Sequence, residues 1–374
     1  MKPVIYADNA ATSRLDPDAF EAMKPFLLDD YGNASQPYVF SRAPKKAIQE
    51  ARKTIASCIG AFPEEIYFTS CGTESDNWAI KGLSYRNRHR RATITSAFEH
   101  HAVLHTCEAI ESQGFPVAYI WPNREGIIAA EALDAVITNE TYLVSVMFAN
   151  NEIGSIQPIH KLCQLAHSNG ALFHTDAVQA VGHVPINAHD LGVDMLSASA
   201  HKFNGPKGIG FLYVRNGVDI PPFLDGGAQE AGKRAGTENV ASIVGMAVAL
   251  NNNCIYLEKN RRHVQSLEDR LLARLNESGL DFIRNGASDH IPGNISLSFK
   301  GADGEMLLHR LDLMGICVST GSACDSKNTQ ISHVLKAIDV PEEYARGTIR
   351  ISLSKENTLE EIDRIYDGIR HILA

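Results

Sequence analysis

Alternating strand and helix patterns predict an α/β protein: a large domain whose mostly parallel sheet is flanked by helices, joined to a smaller α+β domain. Three observations carry this. The apolar run Tyr142–Phe148 is continuous rather than alternating, as expected for a strand covered on both faces. Segments of helical period lie between such runs, with Ala47, Ile48, Ala51, Ile55 and Ile59 on one face of a helix over Pro44–Ile59. After Val240 the alternation gives way to one long helical stretch reaching about Ser278.

Along the chain, Glu65–Thr69 reads as a strand, Thr73–Gly82 as a helix, Ala92–Thr95 as a strand, His101–Gln113 as a helix and Val117–Trp121 as a strand. Beyond Tyr142–Phe148 come helix Ile159–Asn169 and strands Ala171–Thr175, Met195–Ser199 and Gly208–Val214. The tail supplies strand Gly293–Phe299, helix Glu305–Met314, a small-residue loop and strand Thr348–Leu353. The expected division is a large domain over 15–255, with 1–14 and 256–374 forming the smaller one. The latter carries a mobile cysteine loop at about 319–331.

With 374 residues the chain can bury a sizeable core. A formal net charge of -9 argues against a general binder of nucleic acid or of membrane surfaces, which need a positive field. The basic run Arg86–Arg91 reads as a solvated turn, with a local docking patch as the alternative. The N-terminus shows no charged-then-apolar targeting pattern, so a cytoplasmic protein is expected. The seven cysteines form no Cys-x-x-Cys pair, which disfavours a disulfide framework or a zinc knuckle.

Five features sit at the ends of elements, where a sheet-based enzyme keeps its reactive groups. Ser70–Asn77 follows a strand and opens a helix; Gly72 and Thr73 suit an anion at the helix start. Asp176 ends a strand and can hold a ring nitrogen protonated, or simply cap the next helix. Lys202, in Ser199-Ala200-His201-Lys202, lies between two strands, where lost solvation lowers an amine's pKa and favours a Schiff base. His100 stands at a strand–helix junction and can stack on a planar ring or shuttle a proton. His101 and His105 share a helix face near Glu108, but metalloprotease spacing is missing, so no metal is expected. Cys324 lies among small polar residues, as an exposed thiol on a loop would, whereas Cys317 reads as core. Apart from these five, Arg350 lies within a strand, opposite its apolar residues, suited to a carboxylate or, alternatively, to solvent.

Together the segments 7–12, 72–77, 150–154, Asp176 with Gln179, 199–202, 234–239, 321–324 and 349–350 resemble the cysteine desulfurases of the NifS/IscS kind. These are aminotransferase-like, fold type I pyridoxal-phosphate enzymes. The resemblance implies pyridoxal 5'-phosphate on Lys202, with Asp176 at the pyridine nitrogen and His100 stacked on the ring. Asn151 and Gln179 would contact the ring and its phenolic oxygen. Gly72, Thr73, Ser199 and His201 would bind the phosphate, with Thr237 reaching it from the other subunit of a homodimer. Asn33 and Arg350 would hold the carboxylate of L-cysteine, and Cys324 would take its sulfur as a persulfide. A protein sulfur acceptor, such as an iron–sulfur scaffold or a thiolation enzyme, is then implied. The alternatives are a selenocysteine lyase or other β-eliminating enzyme of this fold, and a non-catalytic persulfide carrier. Two departures from the family pattern are Ala34 after Gly32-Asn33, where proline is usual, and Ala228 in the glycine-rich run.

Overall fold

The computed structural model describes residues 4–86, 90–321 and 331–373. The chain enters on a short strand, β1 (Ile5–Tyr6), followed by helices α1 (Pro17–Leu28) and α2 (Arg42–Cys58). Asp16 starts α1 by accepting the backbone N–H groups of Asp18 and Ala19, and Pro17 supplies the preset first turn. Then β2 (Ile66–Thr69), α3 (Gly72–Arg86), β3 (Ala92–Ser96), α4 (His101–Glu111) and β4 (Val117–Ile120) alternate. They are succeeded by α5 (Ala130–Asp134), β5 (Thr141–Ser145), α6 (Ile159–Ser168), β6 (Leu172–Asp176), α7 (Ala188–Leu191), β7 (Met195–Ser199) and β8 (Gly210–Val214).

Seven of these strands form one sheet in the order β2-β8-β7-β6-β5-β3-β4. The run from β7 to β4 is parallel, while β8 is antiparallel to both β7 and β2. The predicted mostly parallel sheet is therefore present, and its strands β5, β7 and β8 are buried throughout. Register sets which residues share an edge. Ser145 pairs with His174, Asp176 with Ser197, and Ser199 with Gly210, so the carboxyl ends of β5, β6 and β7 lie side by side. β2 runs parallel to β7 across β8, and Thr69 also pairs with Gly210. The turn into α3 thus opens on that same edge, where open α/β sheets bind ligands.

The long helical stretch divides. α8 (Val240–Ile255) and α9 (Leu257–Glu277) meet at Tyr256 and bend by 71°. The two halves bury different faces. Ile243, Met246, Ala249 and Leu250 of α8 join the core under α1 and α2. Val264, Leu267, Leu271 and Leu275 of α9 join a separate core. One straight rod cannot serve both. Among the described residues no single helix is long and apolar enough to cross a membrane.

The tail comprises β9 (Phe282–Asn285), β10 (Asn294–Phe299), α10 (Gly304–Leu313), β11 (Ile316–Cys317), α11 (His333–Ala337), α12 (Glu342–Ala345), β12 (Thr348–Ser352) and α13 (Leu359–Leu373). β12, β10 and β9 form an antiparallel sheet, and β1 pairs with β11. Ile5 and Ala7 pack in the α9 core with Ile349, Ile351, Ile365 and Ile369. The N-terminal segment runs on beside β12, where Ser352 N–H donates to the Ala7 carbonyl and Asn9 N–H donates to that of Ser352. Helices α1 and α13 and strand β9 go beyond the elements expected from the sequence pattern. The predicted strand Tyr142–Phe148 ends at Ser145; Val146 and Phe148 stay buried and continue by donating to the carbonyls of His174 and Asp176.

Candidate active site

The sheet edge brings together most of the residues singled out by sequence. A cavity of about 130 Å³ there is lined by Ala10, Ala11, His100, His101, Asn151, Glu152, Lys202, Gly321, His333 and Arg350. A larger one, of about 710 Å³, is lined by Tyr6, Arg14, Lys207 and neighbours but contains neither Lys202 nor Arg350. We place the site in the smaller cavity because the reactive groups converge there.

Lys202 ends a single 3-10 turn, Ala200–Lys202, that leaves β7. Its Nζ donates to the carbonyls of Ala10 at 2.6 Å and Ala11 at 2.9 Å. Gln179 Nε2 donates to the same Ala10 carbonyl at 3.0 Å. Lys207, the nearest rival amine, is exposed on the larger cavity.

Asp176 closes β6 and is buried, with Oδ1 accepting the Val178 N–H at 2.9 Å. Burial raises its carboxyl to about 6, against the opposing pull of the Val178 N–H and the Lys202 charge. Behind it lies a closed polar layer. His174 is fully buried, with Nδ1 2.8 Å from Ser145 Oγ and Nε2 2.9 Å from Ser197 Oγ; burial drops its pKa to about 3. Asp76, from α3, lies 3.6 Å from His174 Nε2, and burial with the nearby Asp176 charge holds its carboxyl well above the ordinary range.

His100 caps α4. Its Nδ1 accepts the Ala102 N–H at 3.1 Å, so the neutral ring carries its proton on Nε2. Burial and then the Lys202 charge push its pKa down to about 4, so at neutral pH it offers a proton as a neutral donor. Next to it Glu99 is fully buried, and burial raises its carboxyl to about 8. Its Oε1 accepts from Ser96 Oγ and from Met147 N–H, the latter at 2.9 Å.

Arg350, on β12, faces inward rather than toward solvent. Its side chain is 3% exposed, and Nη2 donates to Asp8 Oδ1 at 2.7 Å. Nη1 donates to the carbonyls of Asn151 at 3.1 Å and Gly321 at 3.3 Å. Strand alternation places it opposite Ile349 and Ile351, but packing of the N-terminal segment, Asn151 and Gly321 against it makes this face interior.

Gly72 and Thr73 begin α3, where helix geometry leaves the first N–H groups without internal partners. A Cβ on Gly72 would lie 2.5 Å from Val178 Cγ2, so the backbone here makes a close approach that only glycine allows. Ser199 Oγ is buried with no hydrogen-bond partner, and His201 Nδ1 lies 3.2 Å from Thr12 Oγ1. Free helix amides, an orphaned hydroxyl, a buried carboxylate and an amine on one sheet edge form a donor set that fits pyridoxal phosphate.

The remaining sequence assignments lie apart. Asn33 Oδ1 accepts the Ser35 N–H at 2.9 Å in a local turn, and Asn33 is not among the residues lining the cavity. Thr237 is exposed in the approach to α8 and is not among them either. Arg234 of the same segment ties to α3 by donating from Nε to Glu74 Oε1 at 2.8 Å. Cys324 lies outside the described residues. Cys317, expected in the core, is half-buried. The sequence pattern gives Ala7–Thr12 no chemical role, yet its carbonyls and Asp8 form a wall of the site. Asp76, Glu99 and His174 lie in or beside segments singled out by sequence but gain no role there, because their burial depends on elements packed over them.

Comparison with known proteins agrees with this geometry. The family model described as aminotransferase class-V matches residues 5–365. A cysteine desulfurase IscS from Methanosarcina thermophila is 46% identical over 370 residues, covering 99% of this chain and 92% of the relative. A solved NifS-like protein superposes with a TM-score of 0.93 at 38% identity, covering 99% of both chains. A structure of SspA in complex with cysteine gives 0.84 at 36% identity, covering 95% of this chain and 100% of that one. With sequence and fold in agreement over nearly the full length, the chain belongs to the class-V aminotransferase family, among its pyridoxal-phosphate-dependent cysteine desulfurases.

Proposed function

We propose that this cysteine desulfurase converts L-cysteine to L-alanine and leaves the sulfur on Cys324 as a persulfide for a protein acceptor. The convergence of Lys202, His100 and Arg350 on one cavity, beside buried Asp176, is the observation that carries the residue roles. Pyridoxal phosphate, when bound, supplies an electron sink for the substrate α-carbon. The residues do the rest. Lys202 would anchor the cofactor and supply the amine that moves the α-proton; the Ala10 and Ala11 carbonyls keep its Nζ aimed at the site. Asp176 keeps the ring nitrogen protonated, and Gly72, Thr73, Ser199 and His201 hold the phosphate. Arg350 receives the substrate carboxylate, with Asn33 as the second proposed contact. His100 Nε2 serves as the proton donor or acceptor near the substrate sulfur. The Cys324 thiolate attacks the substrate sulfur: an S–S bond forms, the Cβ–S bond breaks, and its electron pair remains on carbon, which is protonated to alanine.

We further read the enzyme as a cytoplasmic homodimer whose Thr237 completes the partner's phosphate site. The exposure of Thr237 supports this, as do cysteines without pairing pattern, which suit a reducing compartment. A relative named IscS supports an iron–sulfur scaffold as one acceptor. Clustering of Ile5 and Ala7 with the core of α9 and α13 supports counting the N-terminus in a smaller domain with the C-terminal third.

The test is chemical. Purified protein should show a yellow absorbance band that borohydride fixes onto Lys202, found by peptide mass, and it should yield alanine and sulfide from cysteine. Cys324→Ala should abolish sulfide release; retained turnover of selenocysteine alone would identify a selenium lyase. Persulfide loading that survives Lys202→Ala, with no alanine formed by the unmodified enzyme, would identify a carrier and refute the proposal.

A further inference from the structure

We propose that Asp8 is a placeholder for the substrate carboxylate: it holds the Arg350 guanidinium until an amino acid displaces it, and so sets the affinity of the site. This rests on Arg350 being the carboxylate receptor.

A guanidinium withdrawn from water needs a counter-charge. For Arg350 that charge is Asp8, at 2.7 Å from Nη2. The Nη1 corner is held differently, by the backbone carbonyls of Asn151 and Gly321, which fix the plane of the fork. The third corner is unsatisfied: Arg350 Nε is buried with no hydrogen-bond partner. Nε and Nη2 form one edge of the guanidinium, the edge that a carboxylate can take with both oxygens. Asp8 fills half of it. A ligand carboxylate taking both donors would satisfy the orphaned Nε, which gives the exchange a reason to proceed.

The two partners differ in freedom. Arg350 is 3% exposed and tied at two corners, whereas the Asp8 side chain is 19% exposed. The Asp8 backbone is held independently, with its carbonyl accepting from Tyr6 OH at 3.1 Å and its neighbour Asn9 donating from N–H to Ser352 O at 3.1 Å. The side chain can therefore turn toward water while segment and arginine stay in place. Substrate binding becomes an exchange of one carboxylate for another, and amino-acid affinity is reduced by the strength of the Asp8 pair.

Asp8→Asn keeps the shape and a weaker, neutral acceptor. In the holoenzyme, titrated through the cofactor absorbance, it should bind L-alanine about five- to tenfold more tightly, the difference between a charged and a neutral acceptor. The KM for L-cysteine should fall alike with kcat little changed. Cysteamine, which lacks the carboxylate, should bind both forms equally. Asp8→Ser, smaller and neutral, should reproduce the gain. Unchanged or weaker alanine binding in both variants would overturn the proposal, as would an equal gain for cysteamine. Arg350→Gln separates the premise: it should weaken alanine but not cysteamine, and equal effects on the two would mean that Arg350 is not the receptor.

Discussion

Lys202 and Gln179 donate to a single carbonyl, that of Ala10, at 2.6 and 3.0 Å. The amine that anchors the cofactor is thus aimed by a backbone group 192 residues away in sequence, and Gln179 holds that group in place. Replacing Gln179 by Leu removes the second donor with little change of volume. Alanine formation should fall about fivefold, with about 1 kcal/mol lost from folding stability. Steady-state rates and denaturant titration check both; wild-type turnover would show that Lys202 needs no such support.

The phosphate cradle depends on the absence of a side chain at Gly72. In Gly72→Ala the new Cβ meets Val178 Cγ2 at 2.5 Å, so the start of α3 must shift. Cofactor should be lost on dialysis about tenfold more readily, on the scale of one displaced charge-assisted hydrogen bond. Adding Val178→Ala removes the obstructing methyl, leaving Ser199 Cβ at an ordinary 3.5 Å, and should restore retention. If the double variant behaves as the single one does, crowding at Val178 is not the cause.

Glu99 makes a pH signature with a definite sign. Its carboxyl is raised from 4.5 to about 8 by burial, so between those values the folded protein keeps a proton that the unfolded chain has released. The stabilisation is complete below pH 4.5 and is lost as pH rises through 8. Glu99→Gln cannot titrate. The stability of the wild type relative to this variant should therefore decline across that window, by up to about 1.4 kcal/mol per pH unit. Urea unfolding at several pH values measures it, and a difference independent of pH would refute the assignment of the proton to Glu99.

Local pattern along the chain is enough for the layered α/β class and for the junctions that carry Gly72, His100, Asp176 and Lys202. Periodicity reports which face of a local segment is buried, and these residues sit where one period changes to the next. How distant segments meet emerges only in the folded chain. The N-terminal segment lies beside β12, so Asp8 reaches Arg350 across 342 residues and turns an apparently polar strand face into an interior one. The 71° break at Tyr256 likewise arises from two cores that claim different faces of neighbouring helices. Such pairings depend on shape and charge complementarity between elements, and no local spacing encodes them.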